Sequence, residues 1–180
     1  MDPFALLGLQ RRYDLDSVEL ERRYRELQRT LHPDRHTHAP AAERRLMLQK
    51  AVEVNEAYRT LRDDQRRAEA LLAVLGGAGQ GQPGPSEPAD PELLMEMMEL
   101  RESLSDAKAQ KNASEIGRLA ERVSAEQAAL RARLSREFAA LSSSTNTPAS
   151  LAAARALVHR LKYYQRFLDE VAVCEDEALS

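Results

Sequence analysis

The chain has 180 residues, of which 43% are hydrophobic and 31% charged, a balance typical of a folded, helix-rich protein. Its formal charge of -3 excludes a protein that is basic throughout and binds nucleic acid by overall charge. The single cysteine, Cys174, cannot form an internal disulfide bond, so we expect a reducing compartment, the cytoplasm. No signal peptide and no apolar run of ~20 residues is present, so we expect no membrane contact.

Helix signals divide the first part of the chain into four segments. Asp2 followed by Pro3 marks the first start, because an aspartate caps free backbone amides and a proline fits the first helical turn. Gly8 ends this short helix, and Asp16 opens the second with the outline of a capping box. One face of the second helix is apolar through Leu20, Tyr24, Leu27 and Leu31.

The third helix is predicted from Pro40 to about Leu61 and the fourth from Arg66 to Leu75. The third also has an apolar stripe, formed by Leu46, Met47, Ala51, Val54, Ala57, Tyr58 and Leu61. Because the second and third helices each have one apolar face, we expect them to pack against each other as an antiparallel pair.

Residues 76–89 consist mainly of glycine, proline and polar side chains, which is typical of a linker. Asp90 and Pro91 then repeat the start signal of the first helix. The pattern predicts a helix from Pro91 to about Lys111.

Two longer helices follow, over residues 114–141 and from Pro148 onward. The stripe of the first is Ile116, Leu119, Val123, Leu130, Leu134, Phe138 and Leu141. The stripe of the second is Leu151, Ala154, Leu157, Val158, Leu161, Tyr164, Leu168 and Val171. We therefore predict an all-α protein with an N-terminal helical domain over residues 1–75 and a three-helix bundle over residues 90–180.

The turn after the second helix carries the strongest functional signal, the sequence Leu31-His32-Pro33-Asp34-Arg35. Pro33 has no N–H and biases His32 away from helical angles, so the chain must turn here. The turn presents an imidazole and a carboxylate to solvent. Taken alone it favours an ordinary helix break over a recognition site, and only its surroundings reverse that preference.

These surroundings resemble a J domain, because the second helix ends in this motif and the third closes with VNEAYRTL. Other segments resemble the HscB family of co-chaperones, namely residues 1–9 (MDPFALLGL), residues 61–62 (LR) together with 67–72 (RAEALL), and residues 94–102 (LMEMMELRE). The resemblance covers nearly the whole chain. It implies an L-shaped arrangement of J domain and three-helix bundle, of the bacterial type without an N-terminal zinc module.

The resemblance implies a co-chaperone of iron–sulfur cluster assembly that is not itself an enzyme. The J domain would stimulate the ATPase of an HscA-type, DnaK-like chaperone, and the bundle would bind and deliver an IscU-type scaffold. His32, Pro33 and Asp34 match the J-domain motif and are implied to bind the chaperone. The alternative is a general J-domain co-chaperone whose bundle binds a different client or mediates dimerisation.

Arg22, Arg25 and Arg29 share one side of the second helix, as their three- and four-residue spacing indicates. Arg23 lies off that side. We expect the three arginines to contact an acidic chaperone surface, because exposed charge chiefly raises the rate of association. The alternative is a solvated helix face with local ion pairs to Glu19, Glu21 and Glu26.

The resemblance places scaffold binding on Leu94, Met95, Met98, Glu99, Glu102 and Tyr163. Independently, residues 93–98 contain too many apolar side chains for one helix to bury on one side, so we expect an exposed apolar patch. Methionine suits such a patch because its side chain adapts to a partner. The alternative is a core stripe of Leu94, Met97 and Leu104 that Met95 and Met98 merely extend.

We predict no cofactor and no metal site. His32, His36 and His38 have no thiols or cluster of carboxylates to complete a set of four ligands. The sequence has no glycine-rich phosphate loop and no nucleophile beside a base, so an enzyme is the least favoured reading.

Overall fold

The computed structural model describes residues 1–32, 40–76, 90–143 and 147–178. These residues form seven α-helices and no strand, which confirms the prediction of an all-α protein. The helices are α1 (Pro3–Leu7), α2 (Ser17–Leu31), α3 (Ala41–Arg62), α4 (Asp64–Leu75), α5 (Pro91–Ala109), α6 (Ala113–Ser143) and α7 (Pro148–Ala178).

Aspartate caps begin three of the helices that the sequence predicts. The Asp2 carboxylate accepts a hydrogen bond from the Phe4 amide at 2.9 Å, and Asp16 and Asp90 make the matching contacts at α2 and α5. Gly8 ends α1 with φ of 65°, in the left-handed region where a side chain would be strained. The three predicted starts and the glycine stop are confirmed.

The start of α4 differs from the prediction. The helix begins at Asp64 and not at Arg66, because the side chain of Asp63 accepts a hydrogen bond from the Arg66 amide at 2.8 Å. An aspartate in this place is a favourable helix cap.

The described chain divides into two compact units. The first contains α1 to α4 and the end of α6 from Phe138. Its core includes the ring of Tyr13, which stacks on that of Phe138 with 5.4 Å between centroids. The other buried side chains are Phe4, Leu7, Leu20, Leu31, Val54, Ala57, Leu61, Ala68, Leu71, Leu72 and Leu141.

One residue of the predicted α3 stripe was wrong. Leu46 is 48% exposed, whereas Met47 is partly buried. At about 100° per residue, Leu46 points about 80° away from the buried Val54, and Met47 only about 20° away. The inward face of α3 therefore passes through Met47 and not through its neighbour.

The second unit contains α5, most of α6 and α7. Its core is formed by Leu93, Met97, Leu100, Leu104, Ala107, Ile116, Leu119, Val123, Tyr164, Phe167 and Val171. On α7 the sequence pattern favoured Leu168, yet Phe167 is fully buried and Leu168 only partly. Phe167 follows Tyr164 by three residues and Leu168 by four, and both spacings continue the same face of a helix. Spacing alone therefore could not predict which of the two is buried.

Candidate interaction surfaces

The turn that the sequence singles out begins at the end of α2. His32 follows Leu31 with φ of -60° and ψ of 131°, the extended conformation that a following proline favours, and its side chain is exposed. Pro33 and Asp34 lie outside the described residues.

A groove along α2 and α3 collects the arginines of α2. Arg22, Arg25 and Arg29 line it together with Tyr58 and Arg62 of α3, and its volume is about 890 Å³. We call it the arginine groove. Arg23 does not line it, as its place on the helix predicts.

Two of the groove arginines are already paired with carboxylates of the same helix. Arg22 lies 3.0 Å from Glu26, and Arg25 lies 2.7 Å from Glu21. Arg29 and Arg62 are exposed, and neither has an ion pair within the part of the chain that the structure describes. Because Glu21 also interacts electrostatically with Arg62, the least compensated positive charge among the described groove residues lies on Arg29.

Sequence reasoning missed Arg62 because its neighbours in the groove are far away in the chain. The available signal was its place four residues after Tyr58, on the side of α3 that meets α2.

Polar contacts between α2 and α3 hold the groove together. The Tyr58 hydroxyl donates a hydrogen bond to Glu21, and the Tyr24 hydroxyl donates to Asn55 at 3.0 Å. The two tyrosine rings stack with 4.0 Å between centroids. The bonds from Tyr58 and then Arg25 lower the pKa of Glu21, and the same bond raises the pKa of Tyr58.

An exposed apolar face lies on the first turns of α5, in the second unit. Leu94, Met95 and Met98 are 40%, 64% and 71% exposed, and we call these three residues the methionine face. Glu99 and Glu102 are also exposed on α5. The expected exposed apolar patch is confirmed.

The alternative stripe that the sequence allowed for α5 is corrected. Leu94 does not belong to the core, because Leu93 takes the buried position instead, followed by Met97, Leu100 and Leu104.

Tyr163 of α7 is partly buried against the core of the second unit. Its ring meets that of His159 edge-on at 5.0 Å between centroids. The bond to Glu170 raises the pKa of Arg101, and Tyr163 adds to that effect. Tyr163 therefore lies within electrostatic reach of Arg101, which follows Met98 by three residues on α5.

Within the described ranges, no group of three or more histidine, cysteine or acidic side chains is arranged around a metal position, and His36 and His38 lie outside those ranges. Cys174 is a free, half-buried thiol. No helix among the described residues combines the length and apolar character that crossing a bilayer requires.

Two families match the chain in succession. Residues 2–70 match the DnaJ domain, and residues 89–172 match the family described as the HSCB C-terminal oligomerisation domain.

Curated relatives described as co-chaperone protein HscB homologs match the chain over different lengths. A co-chaperone protein HscB homolog of Aromatoleum aromaticum is 36% identical over 179 residues, which cover 99% of this chain and 93% of that protein. A homolog of Ralstonia nicotianae is 46% identical over 106 residues, and this match spans 59% of either chain. Among solved structures, the chaperone HscB from Vibrio cholerae is 32% identical with a TM-score of 0.80, over 99% of both chains.

Proposed function

Because the chain belongs to the HscB family of co-chaperones, we propose that it couples an HscA-type, DnaK-like chaperone ATPase to an IscU-type scaffold in iron–sulfur cluster assembly. Residues 1–75 act as the J domain, residues 76–89 connect the two parts, and residues 90–180 bind the scaffold. The observation that carries the proposal is the methionine face, three exposed apolar side chains on a helix whose opposite side is buried.

The chaperone contacts the turn and the arginine groove. His32, Pro33 and Asp34 form the motif that docks on the chaperone, and Arg22, Arg25 and Arg29 attract an acidic surface beside it. Arg62 joins them from α3. Arg29 contributes most to this attraction, because Glu26 and Glu21 already compensate Arg22 and Arg25, and Glu21 also acts on Arg62. The chain activates the partner's ATPase and performs no reaction itself.

The scaffold contacts the methionine face. Leu94, Met95 and Met98 supply apolar area that is released from water on binding, and flexible methionines adapt to the partner's shape. Glu99, Glu102 and Tyr163 form a polar border around them. The half-buried, free Cys174 fits the reducing cytoplasm as the place of action.

The test is steady-state ATP hydrolysis by the cognate HscA-type chaperone, with and without IscU. We expect wild-type protein to stimulate hydrolysis, and to do so more strongly with IscU. His32→Gln should abolish stimulation and leave helicity unchanged, because it alters one exposed side chain at a helix end. Arg12→Gln, an exposed change outside the motif and the groove, is the control and should stimulate like the wild type.

Three results would contradict the proposal in different places. Absence of stimulation by the wild type removes the J-domain function. If the wild type stimulates hydrolysis equally with and without IscU, the J-domain function stands, and the alternative that the bundle binds another client is favoured. Loss of helicity in His32→Gln would mean that this side chain supports the fold.

A further inference from the structure

We propose that Glu96, Tyr164 and Arg160 form a positioning triad that fixes the rotation of α5 and so presents the methionine face to the scaffold. The inference rests on the proposed scaffold binding. None of the three residues belongs to the exposed face itself.

The apolar pattern of α5 leaves its rotation ambiguous over the first two turns. Leu93 and Met97 are buried. Each is followed directly by a second apolar residue, Leu94 or Met98, which is exposed. A local rotation of about 100°, one residue in a helix, would exchange the two pairs at little cost in buried apolar area. It would also turn two of the three residues of the methionine face, Leu94 and Met98, inward.

The ambiguity does not extend along the whole helix. The buried Leu100 is followed by Arg101, so the same rotation further on would bury a charge in place of a leucine. Only the turns that carry the methionine face need an additional determinant.

The triad provides that determinant at these turns. The Tyr164 hydroxyl donates to one carboxylate oxygen of Glu96 at 2.6 Å, and the Arg160 guanidinium donates to the other. Arg160 also donates to the Tyr164 oxygen at 3.3 Å. Both oxygens of Glu96 are therefore held by α7.

Arg160 reaches the beginning of α5 as well. Its guanidinium lies 3.8 Å from the carboxylate of Asp90, the residue that caps the helix. One side chain of α7 thus contacts two acidic groups that lie about two turns apart on α5. A contact at two heights along the helix resists both rotation and sliding.

Burial makes the triad selective. Tyr164 is 2% exposed, and Glu96 keeps only 23% of its side-chain exposure. Burial and then the bond to Glu96 raise the pKa of Tyr164, so its hydroxyl keeps the proton that it donates. In the rotated helix, Glu96 would move away and leave the Tyr164 hydroxyl buried without a hydrogen-bond acceptor. A buried polar group without a partner costs free energy, so the triad disfavours the rotated arrangement.

A second contact on the other flank acts with the triad. Arg101 donates to Glu170 at 2.9 and 3.1 Å. Glu96 and Arg101 lie on opposite sides of the buried stripe of α5, about 140° apart around the axis. Both ions of the Arg101 pair are largely exposed, so the more buried triad carries most of the discrimination.

The experiment measures the rotation and its consequence separately in the full chain. Hydrogen peroxide oxidises accessible methionines to sulfoxides, and peptide mass spectrometry gives the rate for each residue. In the wild type we expect Met98 to react faster than Met97. In Tyr164→Phe, which keeps the ring, and in Glu96→Ala, the two rates should approach each other.

The same variants should bind IscU more weakly, by about twofold if half of the molecules keep the competent rotation, the population at which the two oxidation rates become equal. Affinities are compared at a temperature where circular dichroism shows every variant folded. Glu96→Gln should recover part of the loss, because its amide oxygen still accepts from Tyr164. Gln127→Leu is the matched control, since it removes a buried polar contact from α6 to α7 at 2.9 Å and leaves α5 alone.

The outcomes separate the inference from the proposed function. Converging oxidation rates with weaker binding, both absent in Gln127→Leu, support the triad. Unchanged rates, or changed rates with wild-type affinity, overturn it. An equal loss in Gln127→Leu also overturns it, because the effect would then be one of general stability. If the wild type itself does not bind IscU, the proposed function fails and the inference falls with it.

Discussion

At the scale of single residues, Glu21 links the arginine groove to the core contact between α2 and α3. Its carboxylate accepts from the Tyr58 hydroxyl and from Arg25 Nε at 2.7 Å. The two donors stabilise its charged form, which places the pKa of Glu21 below its ordinary value of 4.5. Because Tyr58 must keep its proton to donate, its pKa lies above the ordinary 10.0.

These shifts predict how the contribution of Tyr58 depends on pH. Because the pKa of Glu21 is lowered in the folded protein, its contact stabilises the fold at pH values above the pKa in the unfolded chain. This contribution is lost as the pH falls through the folded pKa of Glu21. Because the pKa of Tyr58 is raised in the folded protein, the same contact stabilises the fold at pH values below the pKa of tyrosine in the unfolded chain. This contribution is lost as the pH rises through the folded pKa of Tyr58. We expect the difference in Tm between the wild type and Tyr58→Phe to be largest at pH values between 4.5 and 10.0, the ordinary pKa values of the two groups.

Tyr24→Phe provides the control for this pH dependence. It removes the same kind of hydroxyl, but its acceptor Asn55 does not titrate. Its gap in Tm should therefore show no decline in acid. A gap for Tyr58→Phe that is equally wide in acid would mean that the contact with Glu21 does not form in solution.

At the scale of one helix, α5 holds two neighbouring methionines in opposite environments. Met97 is 2% exposed within the core, whereas Met98 belongs to the methionine face. Stability should therefore depend on the first and scaffold binding on the second.

We expect Met97→Ala to lower the free energy of unfolding by about 2–5 kcal/mol, because it leaves a cavity. Met98→Ala should change it by no more than about 0.5 kcal/mol, as exposed substitutions usually do. Changing Leu94, Met95 and Met98 together to Ala should weaken IscU binding by more than about 1.4 kcal/mol, a factor of ten. Urea unfolding and calorimetry measure the two effects. Unchanged affinity in the folded triple variant would put the scaffold site elsewhere.

The helices also show where local sequence signals suffice. Asp2, Asp16 and Asp90 cap the helices that they predict, because a side chain that bonds an amide two residues on acts within one turn. Exposure of part of residues 93–98 was predictable, since one helix cannot bury apolar residues all round. Which member of the pairs Leu93/Leu94 and Met97/Met98 is exposed could not be predicted, because two adjacent apolar residues fit a helical stripe almost equally well.

At the scale of the whole molecule, the proposed function needs the turn after α2 and the methionine face in one chain. A scaffold held by the bundle is then presented to a chaperone that the J domain has engaged. Covalent connection raises the local concentration of the second partner to about the millimolar range, without any new contact.

This predicts a failure of complementation. An equal mixture of His32→Gln and the triple alanine variant contains one intact turn and one intact methionine face on separate chains. We expect the mixture to restore none of the stimulation that depends on IscU, measured as ATP hydrolysis against wild type at the same total concentration. Each variant alone is the baseline. Restored stimulation would mean that copies of the chain assemble and share their sites.

The sequence by itself determined the helical class, most helix starts, the end of α2 before His32 and the family, because capping, proline geometry and motif order act within a few residues. Only the tertiary structure decided that Leu93 is buried and Leu94 exposed, and that Phe167 is fully buried whereas Leu168 is only partly buried. It also decided that Arg62 lines the arginine groove. The physical reason is that each of these choices depends on contacts with another helix, far away in the chain, that local spacing does not distinguish.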